Sequence, residues 1–95
     1  MYLIYVGPNP SNDSGTSSKG YWIRRRNSEV RVTHGPIDID GARGGRCYWR
    51  PGTTDRPPLV CSEADEAIEY VRRKIRDKLA GGYEPLPPRR KIEDR

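Results

Sequence analysis

Between positions 19 and 56 the chain carries nine basic residues, Lys19, Arg24, Arg25, Arg26, Arg31, Arg43, Arg46, Arg50 and Arg56, against four acids, Glu29, Asp38, Asp40 and Asp55. Eight of the nine are arginine, whose planar guanidinium grips phosphate through paired N–H donors and stacks flat on aromatic rings. The first 18 residues hold one charge, Asp13, and residues 57–95 are close to balanced, so the net charge of +5 is concentrated in the middle of the chain. Trp22 and Trp49 fall inside the same stretch. Arginines interleaved with large aromatics suit a polyanion carrying stackable bases.

Other chemistry finds less support. Catalysis needs an acid, a base or a nucleophile converging on one point; His34 is the single histidine, and no triad partner accompanies it in sequence. Asp38 and Asp40 could share a divalent cation, but two carboxylates in a Gly-rich stretch read more simply as solvated turn residues. Cys47 and Cys61 have neither the spacing nor the second histidine of a zinc site; in a reducing compartment they read as small buried hydrophobes, with a disulfide possible if their strands are neighbours. Gly41-Ala42-Arg43-Gly44-Gly45-Arg46 lacks the Walker lysine and the dinucleotide spacing, and is closer to an RGG-like element. The expectation is therefore a protein with no enzymatic activity, no cofactor and no metal.

The elements that must position these residues follow from periodicity. Tyr2–Val6 alternates and is rich in aromatic and β-branched residues, which predicts a strand. Gly7–Lys19 is a polar Gly/Pro/Ser/Asn run and reads as a long mobile loop. Tyr21–Arg26 and Glu29–His34 are strand-like and flank Asn27-Ser28, the makings of a tight hairpin. Gly35-Pro36 interrupts the second arm, Cys47–Arg50 predicts a further strand, and Leu59–Cys61 a short apolar one. Ala64, Ala67, Ile68, Val71, Ile75 and Leu79 recur at helical steps, with Ser62 as N-cap and Gly81-Gly82 as the stop, giving a helix over about 63–80. On that helix Arg72, Arg73 and Arg76 mix with Glu69 and Asp77 as an ordinary solvated face. The last stretch, residues 85–95, is Pro-rich and then charged and reads as a disordered tail; Pro85–Arg90 has the look of a polyproline ligand.

Strands followed by one amphipathic helix predict an α+β fold: a small antiparallel sheet with the C-terminal helix packed on one face, spanning residues 1–84. Alternation puts Tyr21, Ile23 and Arg25 on one side of the first hairpin arm and Trp22, Arg24 and Arg26 on the other; in the second arm Val30, Val32 and His34 oppose Arg31 and Thr33. If the aliphatic side lies under the helix, Trp22, Arg24, Arg26 and Arg31 face outward.

The order of these features resembles the WGR domain, a small module of DNA-damage-dependent poly(ADP-ribose) polymerases that also occurs alone in bacteria. Lys19-Gly20-Tyr21-Trp22 is similar to the family's Lys-Phe-Tyr opening strand. Val30 to Ile37 lies where the family has the strand leading into Trp-Gly-Arg, and the helix closes on Lys78-Leu79-Ala80-Gly81-Gly82-Tyr83, like the family's Lys-x-x-x-Gly-Tyr ending. The signature itself departs to His34-Gly35-Pro36-Ile37-Asp38: Gly35 and Ile37 match, while His34 replaces the Trp and Pro36 the Arg that the family associates with DNA ends. The resemblance implies the fold and a DNA ligand.

Taken together, the expectation is a nucleic-acid-binding module, with DNA preferred to RNA. Arg24, Arg26, Arg31, Arg43 and Arg46 would contact phosphates; Trp22 and His34 would stack. The alternative is a protein-interaction adaptor recognising an acidic partner. No run approaches the roughly 18 apolar residues of a membrane span, and Met1–Val6 is too short for a signal peptide, so a cytoplasmic location without membrane contact is expected.

Overall fold

A computed structural model describes residues 1–8 and 16–94; residues 9–15, most of the expected mobile loop, lie outside the described residues. On either side of them the chain is strand, not loop. β1 (Tyr2–Pro8) and β2 (Thr16–Arg26) pair antiparallel from Tyr2↔Trp22 out to Pro8↔Thr16, so the polar residues Ser18 and Lys19 belong to the sheet. Backbone pairing needs no apolar side chain, so composition alone misses such an extension.

β3 (Glu29–Asp40) completes the predicted hairpin, with Arg26 opposite Glu29 and a two-residue turn in which Asn27 takes a φ of 54°. That left-handed region is one asparagine tolerates. Gly35-Pro36 does not end the strand. β3 pairs with β2 through Pro36 and then, over Ile37–Asp40, with β4 (Arg46–Trp49), the two joined by a 3-10 turn at Gly41–Arg43. Two short strands, β5 (Thr54–Asp55) and β6 (Leu59–Val60), pair with the free edge of β3 nearer the hairpin. The helix α1 (Ala64–Ala80) follows. Its N-cap is Glu63, without a side-chain bond, and not Ser62, whose hydroxyl and amide both donate to the Glu66 carboxylate.

The molecule is a small α+β fold: a mixed, mainly antiparallel sheet with one helix on it. Under the helix, Leu3, Tyr21, Ile23, Val30 and Val32 form a cluster around Ala67, with Tyr70, Val71, Ile75 and Tyr83 at its margin. Leu79, expected in the apolar stripe, is largely exposed. The aliphatic side of the hairpin therefore packs as alternation predicts.

The opposite face is not wholly open to water. The chain returns through β7 (Glu84–Pro85), antiparallel to β1, and β8 (Ile92–Glu93), parallel to β4. The Leu86 amide donates to the Tyr2 carbonyl at 3.0 Å, and Ile92, only 4% exposed, joins Ile37 and Cys47 in a second cluster with Tyr2, Ile4, Trp49 and Leu86. This differs from the expected disordered tail after residue 84. Leu86 and Ile92 are its two aliphatic residues, and their packing in the second cluster anchors the segment at both ends of its charged stretch. The site that receives them is shaped by Gly20, where a Cβ would come within 2.5 Å of Ile92 Cδ1 and 2.9 Å of Ile37 Cγ2 and Trp49 Cζ3. Among the described residues no helix is long and apolar enough to cross a membrane.

Deleting a buried isoleucine to its Cβ typically costs about 2–5 kcal/mol. Ile92→Ala is expected to lower the urea unfolding midpoint accordingly; a midpoint equal to that of the parent chain would show that the returning segment adds nothing to stability.

Candidate nucleic-acid interface

The seven residues expected to bind nucleic acid fall in three places. The first is the outer face near the hairpin. Trp22 is half-buried there, stacked on Tyr2 with ring centroids 4.9 Å apart and planes 8° from parallel. The Arg24 guanidinium carbon lies 3.7 Å from the Trp22 ring centroid, and Arg24 Nη1 donates to Thr33 Oγ1 at 3.1 Å. The Thr33 hydroxyl in turn donates to Asp55. A base seeking the indole would have to displace a cation already held there (about 0.5–2 kcal/mol for such a contact). Arg31 pairs with Glu29 at 2.6 Å, and Arg26 stands opposite that same glutamate across the hairpin. Trp22, Trp49 and Tyr2 line a concavity of about 560 Å³ that also holds Asp55, Glu93 and Asp94, so its charge is mixed rather than basic.

The second place is the β3–β4 turn. Arg43 lies 3.7 Å from Asp40 and also bonds the Tyr48 hydroxyl; Arg46 lies 3.8 Å from Glu93, and the neighbouring Arg50 3.4 Å from Asp38. These exposed pairs are individually weak, on the order of 0–1 kcal/mol, so a phosphate can compete for each guanidinium. Asp38 and Asp40 are thereby occupied by arginines, and no group of three potential metal ligands gathers among the described residues. Cys47 and Cys61 are both free thiols, one in each apolar cluster.

The third place is built around His34, on the helix side of the sheet. Directly opposite it on β2 is Tyr21. A cavity of about 380 Å³ opens beside them, lined by Lys19, Gly20, Tyr21, His34, Gly35, Pro36, Arg56, Lys78 and Tyr83. Four basic side chains face this space and, among the described residues, no carboxylate lines it. Each arrives on a different element: Lys19 on β2, His34 on β3, Arg56 on the connection between β5 and β6, and Lys78 in the last turn of α1. Gly35 lets the segment leading into β5 approach, since a Cβ there would lie 2.6 Å from Thr53 Cα. Arg56 Nε donates to His34 Nε2 at 3.2 Å, which fixes the imidazole as a neutral acceptor. Lys78 Nζ lies over two rings, 4.8 Å from the Tyr21 centroid and 5.2 Å from that of Tyr83.

Electrostatics register the crowding. Partial burial, then Arg56 and Lys78, push the His34 pKa below its usual value; partial burial, then Arg56, Lys74 and Lys19, push that of Lys78 down. Positive groups that lower one another's affinity for protons would gain from an anion placed among them. Sequence reasoning singled out His34 but missed Lys19, Arg56 and Lys78. Arg56 stands in a Pro-rich turn and Lys78 in the mixed-charge helix, and only tertiary packing brings them together. The one available signal was the Lys78-to-Tyr83 ending, whose two terminal residues both line the cavity.

The depressed His34 pKa has a defined sign. Between that pKa and the unfolded value of about 6.5, the unfolded chain binds more protons, so stability falls as pH drops from above 6.5 through this window. NMR titration of the His34 ring should give a midpoint below 6.5, and His34→Gln should flatten the loss of thermal stability on acidification; a midpoint at or above 6.5 would contradict the arrangement. No family model, curated protein or solved structure matches the chain.

Proposed function

We propose that the protein is a non-enzymatic nucleic-acid-binding module, with DNA the preferred ligand, that seats a phosphate among Lys19, His34, Arg56 and Lys78. The single observation that carries this reading is a cavity with four converging basic side chains and, among the described residues, no carboxylate in its lining. Arg24, Arg31, Arg43 and Arg46 are engaged by tryptophan, glutamate or aspartate, whereas the cations of the His34 cavity repel one another. Tyr21 and Tyr83 supply ring surface beside them for a sugar or base.

The resemblance to the WGR domain supports the same place. His34 and Pro36 occupy the positions of that family's Trp and Arg, and both line the cavity. Pro36 offers no donor, but Arg56, bonded to His34, brings a guanidinium to the spot. An acidic protein partner is the competing reading. On the outer face Asp55, Glu93 and Asp94 would repel it, and the Pro85–Arg90 segment is committed to backbone and side-chain bonds within the fold. The two thiols, housed in separate apolar clusters, fit a reducing compartment, and the cytoplasm is the location we propose.

Hydrogen bonds to charged groups contribute roughly 1.5–3 kcal/mol each, so Arg56→Gln with Lys78→Gln should weaken binding of a labelled duplex at least about tenfold at ~50 mM salt. Arg24→Ala with Arg31→Ala should change it far less. If the parent chain binds no duplex at low salt, or if the second pair of changes is the damaging one, the assignment to this cavity fails. Retention of a protein from lysate after nuclease treatment, alongside no duplex binding, would favour the adaptor.

A further inference from the structure

Arg89, Arg90 and Lys91 are 40 or more residues from Arg43 and Arg46 in sequence, yet all five line one depression of about 400 Å³. Its construction is specific. The returning chain is anchored on one side by Leu86, whose amide bonds the Tyr2 carbonyl, and on the other by buried Ile92, paired with Cys47. Between these anchors a turn closes with the Arg90 amide donating to the Pro87 carbonyl at 2.9 Å. The Arg90 side chain then reaches across to the glycine turn, Nη2 donating to the Gly44 carbonyl at 2.8 Å and Nη1 to that of Gly45 at 3.4 Å. Gly44 and Gly45 take φ values of 71° and 80°, which a side chain would disfavour. The loop and the returning segment therefore hold each other in place.

Five bases surround this depression, and the one acid in its lining among the described residues, Glu93, is already 3.8 Å from Arg46. Arg89 and Lys91 are exposed and have no ion pair or hydrogen bond among the described residues. The depression shares no lining residue with the His34 cavity. We infer that the Gly41–Arg46 turn and the Arg89–Lys91 segment form a second binding surface, one for the phosphodiester backbone of a nucleic acid. Arg90 builds it; Arg89 and Lys91, with Arg43 and Arg46 released from their weak exposed pairs, contact the phosphates. The inference rests on the nucleic-acid reading above and adds to it: a polymer engages two surfaces, whereas a small phosphate engages the cavity alone.

The test uses Arg89→Ala with Lys91→Ala, which leaves Arg90 and both anchors in place; an unchanged unfolding midpoint checks that the fold is intact. Each lost phosphate contact lowers the slope of log K against log salt by about one. Binding of a ~20-base-pair labelled duplex should therefore weaken severalfold to about tenfold at ~50 mM salt, and the slope should fall by one to two. The shift of the His34 ring signal on adding inorganic phosphate should be the same as in the parent chain. A variant with the parent's duplex affinity and salt slope would overturn the second surface while leaving the cavity untouched. Equal loss of the phosphate response and of duplex binding would also overturn it, because the two changes would then be acting through the cavity.

Discussion

β3 must serve as partner to two different parts of the sheet. Its first eight residues pair with β2, its last four with β4, and the backbone passes from one to the other at Gly35-Pro36 without losing extension. The alternation within that one strand divides the fold. Val30 and Val32 enter the cluster under the helix, and Ile37, beyond the glycine, enters the cluster on the other side. Both cores, and the basic sites beside them, depend on that strand remaining continuous. At the transition itself the backbone of Gly35 must accept the close approach of Thr53, and this approach brings the Arg56 connection against His34.

Burial and the placement of the basic side chains are thus organised by the same few residues. The helix covers the hydrophobic half of the hairpin, and its last turn delivers Lys78 over Tyr21 and Tyr83. On the far face Arg31 is paired with Glu29, and Arg24 lies over Trp22 and bonds Thr33. Charge composition is a poor guide to how cations are engaged: in the central stretch Arg31, Arg43, Arg46 and Arg50 have carboxylate partners, whereas among the described residues no carboxylate lines the cavity that holds Lys19 and Arg56. The number of basic residues matters less than whether a carboxylate shares their immediate surroundings.

Local pattern made much of this legible. The period-two alternation of Tyr21–Arg26 and Val30–His34 sufficed to assign the helix-facing side, and the three- and four-residue spacing of Ala67, Val71 and Ile75 defined the helix within one residue at its start. The C-terminal segment was not legible. Leu86 and Ile92 lie in a sequence dominated by proline and charge, and their apolar surface counts only because the bare backbone of Gly20 leaves a place for it. Nor did the strand extensions through Gly7 and Ser18 carry any local signal. The cavity residues were hidden for a different reason. Lys19, Arg56 and Lys78 are spread over 60 positions, each in a segment with its own unremarkable local reading, and their meeting is a product of topology.

Cys47 and Cys61 are placed one in each apolar cluster, the first buried against Ile37 and Ile92, the second half-buried beside the helix. Burial raises the Cys47 thiol pKa, so its reactive thiolate is scarce while that layer stays closed. An alkylating reagent would consequently consume the two sulfurs at rates governed by separate opening events. The pair of rates measures whether the two halves of the molecule breathe independently or come apart as one cooperative body.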